Sequence, residues 1–400
     1  MKHDDTTPVL VGAGRITARE PDAERTPIGL IAQAARAAGD DCGATNVLPE
    51  VQSLTCLNIL APSYPNAPAS LADKLDINPQ ERFYTPIGGN MGQWLVEYYA
   101  NRIAAGELEC ALIAGGEALA TQMRGKGSGL SGIIDKNHAE GPAMLGDSRE
   151  PTNALEQRHG MGLPIQIYPL FENAIRRRYG HSPAEHQQAL GELYAGLNDV
   201  AVANPQAWRR APLSAQDIAT RGQKNRMVGA PYTKHMNAII AVDQAAALVM
   251  MSAGKARELG IDPERWVYPL AAASASDRWY VSERDDLSQS PAIAAVGRAL
   301  QQTHGLAINE VNHIDLYSCF PSAVQMARDA LSIAADDSRP LTVDRGARLS
   351  RRSGQQLLHA CYCRNDGTYP RRPLEYRLGQ RRGLVYEQTF ARALRRTAAG

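Results

Sequence analysis

The sequence predicts an α/β protein, and three stretches carry that expectation. Residues 85–121, TPIGGNMGQWLVEYYANRIAAGELECALIAGGEALAT, read as a glycine-bearing loop, a helix, a buried strand and a second small-residue loop. Residues 237–251 hold another apolar strand, and a linking helix follows over 254–259. The alternation then resumes with a strand at 267–272, a helix at 292–302, a strand at 313–316 and a helix at 322–331.

Each element has a local reason. Residues 8–14 (PVLVGAG) form a first strand and its turn. Gly12 and Gly14 invite a dinucleotide-loop reading, but Thr17 stands where a third glycine belongs, so a strand end needing glycine is the better account. Residues 26–38 form an amphipathic helix with Pro27 in its first turn and Gly39 after it. In the next unit, Gly88, Gly89 and Gly92 supply backbone freedom for a tight turn that a ligand can approach. Trp94, Leu95, Tyr98, Tyr99 and Ile103 recur at helical spacing, and Gly106 stands at the left-handed cap. The run from Ala111 to Ala114 is a buried strand, ended by Gly115-Gly116. A loop, a helix N-terminus and a strand end converging in this way make a seat for negative charge. Residues 122–232 interrupt the alternation with a loop-rich start and helices at 170–179 and 183–199, the second capped by Ser182. Arg176-Arg177-Arg178 leaves two readings open, a phosphate contact and a solvated helix face.

At 400 residues and 44% hydrophobic content, the chain can bury a large core in two or three domains. No apolar run reaches membrane-spanning length and the N-terminus lacks a signal-peptide core, so a soluble cytoplasmic protein is expected. Six cysteines (Cys42, Cys56, Cys110, Cys319, Cys361, Cys363) show no metal-ligand spacing before the tail and suit a reducing compartment. The net charge of +1 conceals an asymmetry. Residues 344–400 hold 13 Arg, no Lys and 4 acidic residues, a charge of +9, which leaves −8 on the preceding 343 residues.

The frame of residues 85–121 resembles the thiolase superfamily around its nucleophile. There a cysteine and a small-residue turn ending in glycine open the helix, and a strand ending in Ala-Gly-Gly follows. Counting back from Ile103-Ala104-Ala105-Gly106 places the family's cysteine at Gly89, with Gly92 on the motif glycine. The frame is kept and the nucleophile is missing. Asp315-Leu316-Tyr317-Ser318-Cys319-Phe320 resembles the His-Asp-Cys-Phe motif of sterol-carrier-type thiolases and the Asn-Glu-Ala-Phe motif of other members. By that resemblance Tyr317 falls on a residue of an oxyanion hole, a role a phenol can fill. Cys319 falls on the acid/base cysteine, although a small buried core residue is an equal reading. Cys110, at the start of a buried strand, reads as structural.

With its Gly-Gly-Asn loop and Tyr-Ser-Cys-Phe-Pro-Ser segment, the chain is similar to thiolase-like acetyl-CoA acetyltransferases over residues 8–343. The resemblance implies two related α/β halves, layered α-β-α-β-α, with an inserted loop domain and an incomplete second half. Residues 1–121 and 233–260 would form the N-terminal half, 122–232 the loop domain, and 261–343 a truncated C-terminal half. It implies an acyltransferase acting on acyl-CoA thioesters, with coenzyme A thioester as substrate and no covalently bound cofactor or metal. Tyr317 and Cys319 would be catalytic, and Gly88, Gly89, Asn90 and Gly92 would bind substrate. A homo-oligomer is compatible with the family, and no nucleic-acid or membrane partner is expected. The alternatives are an acyl-CoA-binding protein without turnover, since Gly89 cannot form an acyl-enzyme, and an inactive product of a damaged gene.

After Val343 the resemblance stops. An arginine-rich, lysine-free composition is what out-of-frame translation of GC-rich DNA produces, because CGN codons become frequent. Back-translated and read one base later, residues 349–373 can yield a Gly-Gly-Pro-Gly-Asn-Asn-Tyr-Ser-Met-His-Ala segment and residues 374–392 an apolar strand with an Asn-x-Gly-Gly turn. Both look like the family's C-terminus, in order. The tail is therefore read as the product of a single-base frameshift near residues 343–344, rather than as an arginine arm for nucleic acid. Resequencing the gene across codons 335–355 is expected to expose the inserted or missing base. A confirmed reading frame, matched by the intact mass of the natural protein, would overturn the frameshift.

Overall fold

The computed structural model describes residues 4–20, 22–60, 64–124, 135, 137–138 and 140–343. The tail, and the expectations that fall on it, lie outside the described residues. Strand β1 (Pro8–Thr17) does not end at its glycines. A Cβ on Gly12 would sit 2.1 Å from the Ala38 carbonyl oxygen, and one on Gly14 would sit 1.9 Å from that of Ala34. Both glycines let a helix lie against the strand backbone, which corrects the strand-end reading and gives them no phosphate to cradle. That helix is α1 (Pro27–Asp41), capped by Thr26, whose hydroxyl accepts from Gly29 N at 3.1 Å. It continues past Gly39, which faces Leu48, and the left-handed turn falls instead on Gly43 at φ +73°.

Three short elements follow that no periodicity announced: strand β2 (Ser53–Cys56), helix α2 (Ala67–Leu75) and strand β3 (Glu81–Tyr84). Helix α3 (Met91–Ala104) ends before the left-handed Gly106, as its spacing predicts. Strand β4 (Cys110–Ala118) is buried at every residue and runs through Gly115 and Gly116, where the sequence suggested an end. A Cβ on Gly116 would lie 2.6 Å from that of Ala245, so this glycine serves close strand packing. The inserted stretch contributes α4 (Leu119–Arg124), β5 (Ala143–Met144), α5 (Ala154–Arg158), α6 (Pro164–Tyr179), α7 (Pro183–Ala203) and α8 (Ala215–Ala219). It closes with the hairpin of β6 (Met227–Gly229) and β7 (Tyr232–Thr233). Helix α7 opens on a capping box in which Ser182 and Glu185 bond each other's backbone N–H.

Strand β8 (Asp243–Ser252) then returns to the sheet, antiparallel to both β1 and β4, giving the order β1-β8-β4-β2-β3-β5. Strands β2 to β5 are mutually parallel. Alternation sorts the two faces. Cys110, Leu112, Ala114, Ala247, Val249 and Met251 pack under α1, whereas Ala111, Ile113, Ala246, Leu248 and Met250 pack under α3. One side chain guards the strand ends. The fully buried Asp243 carboxylate accepts from Arg25 (2.9 Å), Thr121 Oγ1 (2.7 Å) and Thr121 N (3.0 Å), joining the approach to α1, the start of α4 and β8.

Helices α9 (Ala253–Glu258), α10 (Pro291–His304) and α11 (Pro321–Ala330) complete the described chain. Here the expected strands at 267–272 and 313–316 are corrected. Val267 makes a single bridge to Leu10, and Leu316 N donates to Leu341 O at 2.9 Å, but neither stretch extends into a ladder. A strand exists by its neighbour, and among the described residues each stretch is paired in this way at one residue alone. No helix among the described residues is long and apolar enough to cross a membrane.

The chain's last described residues fold back on Asp315, whose carboxylate accepts from Thr342 Oγ1 (2.6 Å) and Val343 N (3.2 Å). Burial nevertheless raises this carboxyl from 3.8 to about 6. The folded state thus holds the proton more tightly than the unfolded chain. That contribution is complete below pH 4 and lost as pH rises through 6. From pH 4 to 8 the protein should lose about 2 kcal/mol relative to Asp315→Asn, the full shift discounted for partial exposure. Denaturant midpoints at the two pH values measure it. Gly12→Ala and Gly14→Ala should each cost about 3 kcal/mol, because the new methyl meets backbone that cannot yield. Gly196→Ala, in α7 with open space at its Cβ, should stabilise by up to about 1 kcal/mol in the same assay.

Candidate functional site

The glycine turn lies where β3 leaves the sheet and α3 begins. Gly88 O accepts from Met91 N (3.3 Å), and Asn90, at the N-cap position, accepts from Trp94 N (3.2 Å) through its carbonyl. Gly92 is already inside the helix and buried, and Gly88 keeps a backbone open to other residues. Neither uses a left-handed conformation, which corrects the reason the sequence suggested for them. A Cβ on Gly88 would stand 2.7 Å from Asn90 Oδ1, so compactness of the turn is what glycine serves there. From the inserted stretch, β5 extends the sheet edge beside β3, and its following Gly146 approaches Met91 and Pro86. Ser274 donates to the Glu97 carboxylate and ties α3 to the chain after Val267. Gly89 sits at the head of a 14-residue helix, whose dipole favours negative charge there.

The second segment crosses from an extended stretch into α11. Tyr317 is half-buried, Cys319 is 3% exposed and Phe320 is 1% exposed. Phe320 stacks on Tyr168 (centroids 4.2 Å apart, 18° between planes) and lies near the Tyr232 ring (5.7 Å, 27°). Among the described residues the other free cysteines are buried in the core under α1, with burial raising Cys42 to about 12 and pushing Cys56 and Cys110 higher still. Burial favours the neutral thiol in all three, which suits the structural role read for Cys110. Cys319 stands apart from them, at the head of a helix and in the core cluster under α7 and α11.

The structure thus brings Tyr317 and Cys319 together on one segment, and Gly88, Gly89, Asn90 and Gly92 together at one helix start. The two groups belong to different packing clusters, Met91 with α3 and Cys319 with α11. The arginine triplet stays at the surface, where two of its members are partnered. Arg178 pairs with Asp329, and Arg176 donates to His181 O at 3.0 Å, so these two join α6 to α11 and close its own C-terminal turn.

Sequence reasoning missed the polar network behind Cys319. The buried Glu172 carboxylate accepts from Tyr232 OH (2.7 Å) and Gln325 Nε2 (2.8 Å) and bonds His186 Nε2 (2.7 Å). Tyr232 OH also bonds Ser322 Oγ (2.8 Å) and accepts from Ser322 N (3.3 Å). Burial first, then the adjacent Glu172 charge, raises the Tyr232 phenol well above its usual range, so it remains a neutral donor. A signal was present. Glu172 shares an apolar helical stripe with Tyr168, Phe171 and Ile175, and His186 shares one with Leu190, Tyr194 and Leu197. A charged residue on a buried stripe asks for partners.

Solved structures share this architecture. A monomeric SCP2-thiolase like protein type 1 (STLP1) from Mycobacterium smegmatis is 31% identical, with a TM-score of 0.72 over 87% of this chain and 68% of its own. An Ltp2-ChsH2(DUF35) aldolase, at 20% identity, matches over 83% and 78% of the two chains with a TM-score of 0.62. Human mitochondrial 3-ketoacyl-CoA thiolase in complex with CoA, at 15% identity, matches over 88% and 91% with a TM-score of 0.54. The last two likenesses concern the fold alone. No protein-family model and no curated protein matches the sequence. With 31% identity to an SCP2-thiolase like protein over most of its length, and the same α/β frame with its repeated β-α units, this chain belongs to the thiolase superfamily, related to the SCP2-thiolase-like proteins.

Proposed function

We propose that the chain binds acyl-CoA thioesters in the manner of the thiolase-like acetyl-CoA acetyltransferases, with its remaining chemistry on Cys319 and Tyr317. Two related halves would meet at this site, the turn of Gly88, Gly89, Asn90 and Gly92 facing Tyr317 and Cys319, with residues 122–232 as the loop domain beside it. The observation that carries the reading is Gly89 at the start of α3. It keeps the helix-terminal seat of the superfamily's nucleophile while removing the sulfur. A thioester carbonyl placed there would still find the positive end of the helix, and the Tyr317 phenol could donate to its oxygen. No acyl group can move to residue 89, because glycine has no atom to bond it. Any acyl transfer therefore passes to Cys319, whose thiol would lose its proton as the C–S bond forms and CoA leaves as the thiol.

An inactive product of a frameshifted gene would bind no thioester, whereas a binding protein would bind without reacting.

Incubation with acetyl-CoA followed by intact and peptide mass analysis tests the reading. Saturable binding is expected, with any 42-dalton adduct (~42, one acetyl group) on Cys319 and none on Cys319→Ser. Binding without an adduct marks a non-catalytic acyl-CoA protein. Gly89→Cys should acquire an adduct at residue 89, since the helix start is already in place. Absence of binding in the natural chain, with no labelling of Gly89→Cys, would sink the proposal.

A further inference from the structure

Helix α11 begins without the usual local cap. Its N-cap is Phe320, whose side chain makes no capping bond, and Pro321 brings no N–H. The first donor to find a side-chain partner is Ser322 N, and the partner comes from another element: the phenol of Tyr232 on β7 at 3.3 Å. That phenol is itself held at 2.7 Å by Glu172 on α6, a carboxylate also bound by Gln325 (2.8 Å) on α11 and by His186 (2.7 Å) on α7. On the other side of Cys319, Tyr194 on α7 donates to Ser318 O at 3.0 Å. Between these two bonds the Phe320 ring stacks on Tyr168 of α6. The backbone on either side of Cys319 is therefore gripped by buried phenols of the inserted stretch.

We infer that Tyr194 and Tyr232 are positioning residues for Cys319, through which helices α6 and α7 set where the thiol stands. The inference rests on Cys319 as the reactive group of the proposed function. The grip is stiff for a physical reason. Tyr194, Tyr232, Glu172 and Ser322 are each at most 1% exposed, so a phenol that lets go finds no water to replace its partner. Removing one phenolic oxygen keeps the ring's packing and loosens the segment, exposing the thiol more often.

The experiment compares Tyr194→Phe and Tyr232→Phe with Tyr99→Phe in the full chain. Tyr99 is an equally buried phenol, bonded to Ser53 (2.9 Å) and Thr55 (2.5 Å) beneath α3, away from α11. Its loss controls for stability alone. Iodoacetamide is added under native conditions, and alkylation of the Cys319 peptide is followed by mass spectrometry. Tyr194→Phe and Tyr232→Phe should each raise the alkylation rate about tenfold, the factor that about 1.4 kcal/mol of lost grip provides. Tyr99→Phe should stay within about twofold of the natural chain at a matched loss of stability. Should Tyr232→Phe not fold, Tyr194→Phe decides alone, because it removes one bond to a backbone oxygen. Equal rates in Tyr194→Phe and Tyr99→Phe would overturn the inference. Alkylation needs no acyl-CoA, so a failure of the proposed function, read from thioester binding, stays separate from a failure here.

Discussion

Everything described in the first half depends on a sheet sealed on both faces. Strand β8 is buried at all ten residues and lies between β1 and β4, and from Ala245 to Met251 its side chains alternate between the α1 and α3 sides. Over that run the strand leaves no face for polar residues, which are confined to its ends. Ala245 and Ala247 let α1 come close, and Gly12 and Gly14 on β1 bring it to backbone contact. The close packing has a structural consequence at the strand ends. A carboxylate as deeply placed as Asp243 is tolerable because Arg25 and Thr121 supply three bonds to it.

The packing of α6, α7 and α11 is organised by a different constraint, the satisfaction of buried polar groups. Helix α11 carries Gln325 and Ser322 into the interior, α6 carries Glu172 and α7 carries His186. Their bonds run chiefly between elements, and together with Tyr232 they satisfy one another. The inserted stretch is thereby more than a cover. It supplies an edge strand next to the glycine turn, through β5, and the phenols that hold the segment of Cys319. Both parts of the candidate site thus lean on it.

A glycine at residue 89 is compatible with this arrangement. The turn into α3 depends on Gly88 O, the Asn90 carbonyl and the bulk of Met91, and none of those bonds requires a side chain at residue 89. A nucleophile contributes chemistry rather than packing, so its absence leaves the fold legible while removing a reaction. That asymmetry explains how a chain can keep the superfamily's architecture with no side chain at residue 89.

By itself the sequence determined the α/β class, three of the strands that share the central sheet (β1, β4 and β8), the helices with sustained periodicity and the two motif segments. These are properties of alternation, helical spacing and glycine placement, which act over a few residues. Tertiary structure alone decided why the glycines are there. Gly12, Gly14 and Gly116 looked like turn residues, and the neighbour that makes them necessary is a helix or strand remote in sequence. It also decided that the stretches at 267–272 and 313–316 do not become strands, because a ladder needs a second chain segment and no local pattern supplies one. The phenol grip on Cys319 was hidden for the same reason. Tyr194 and Tyr232 lie more than 80 residues from the groups they hold, and hydrogen bonds at that separation leave no trace in local sequence beyond a polar residue on an apolar stripe.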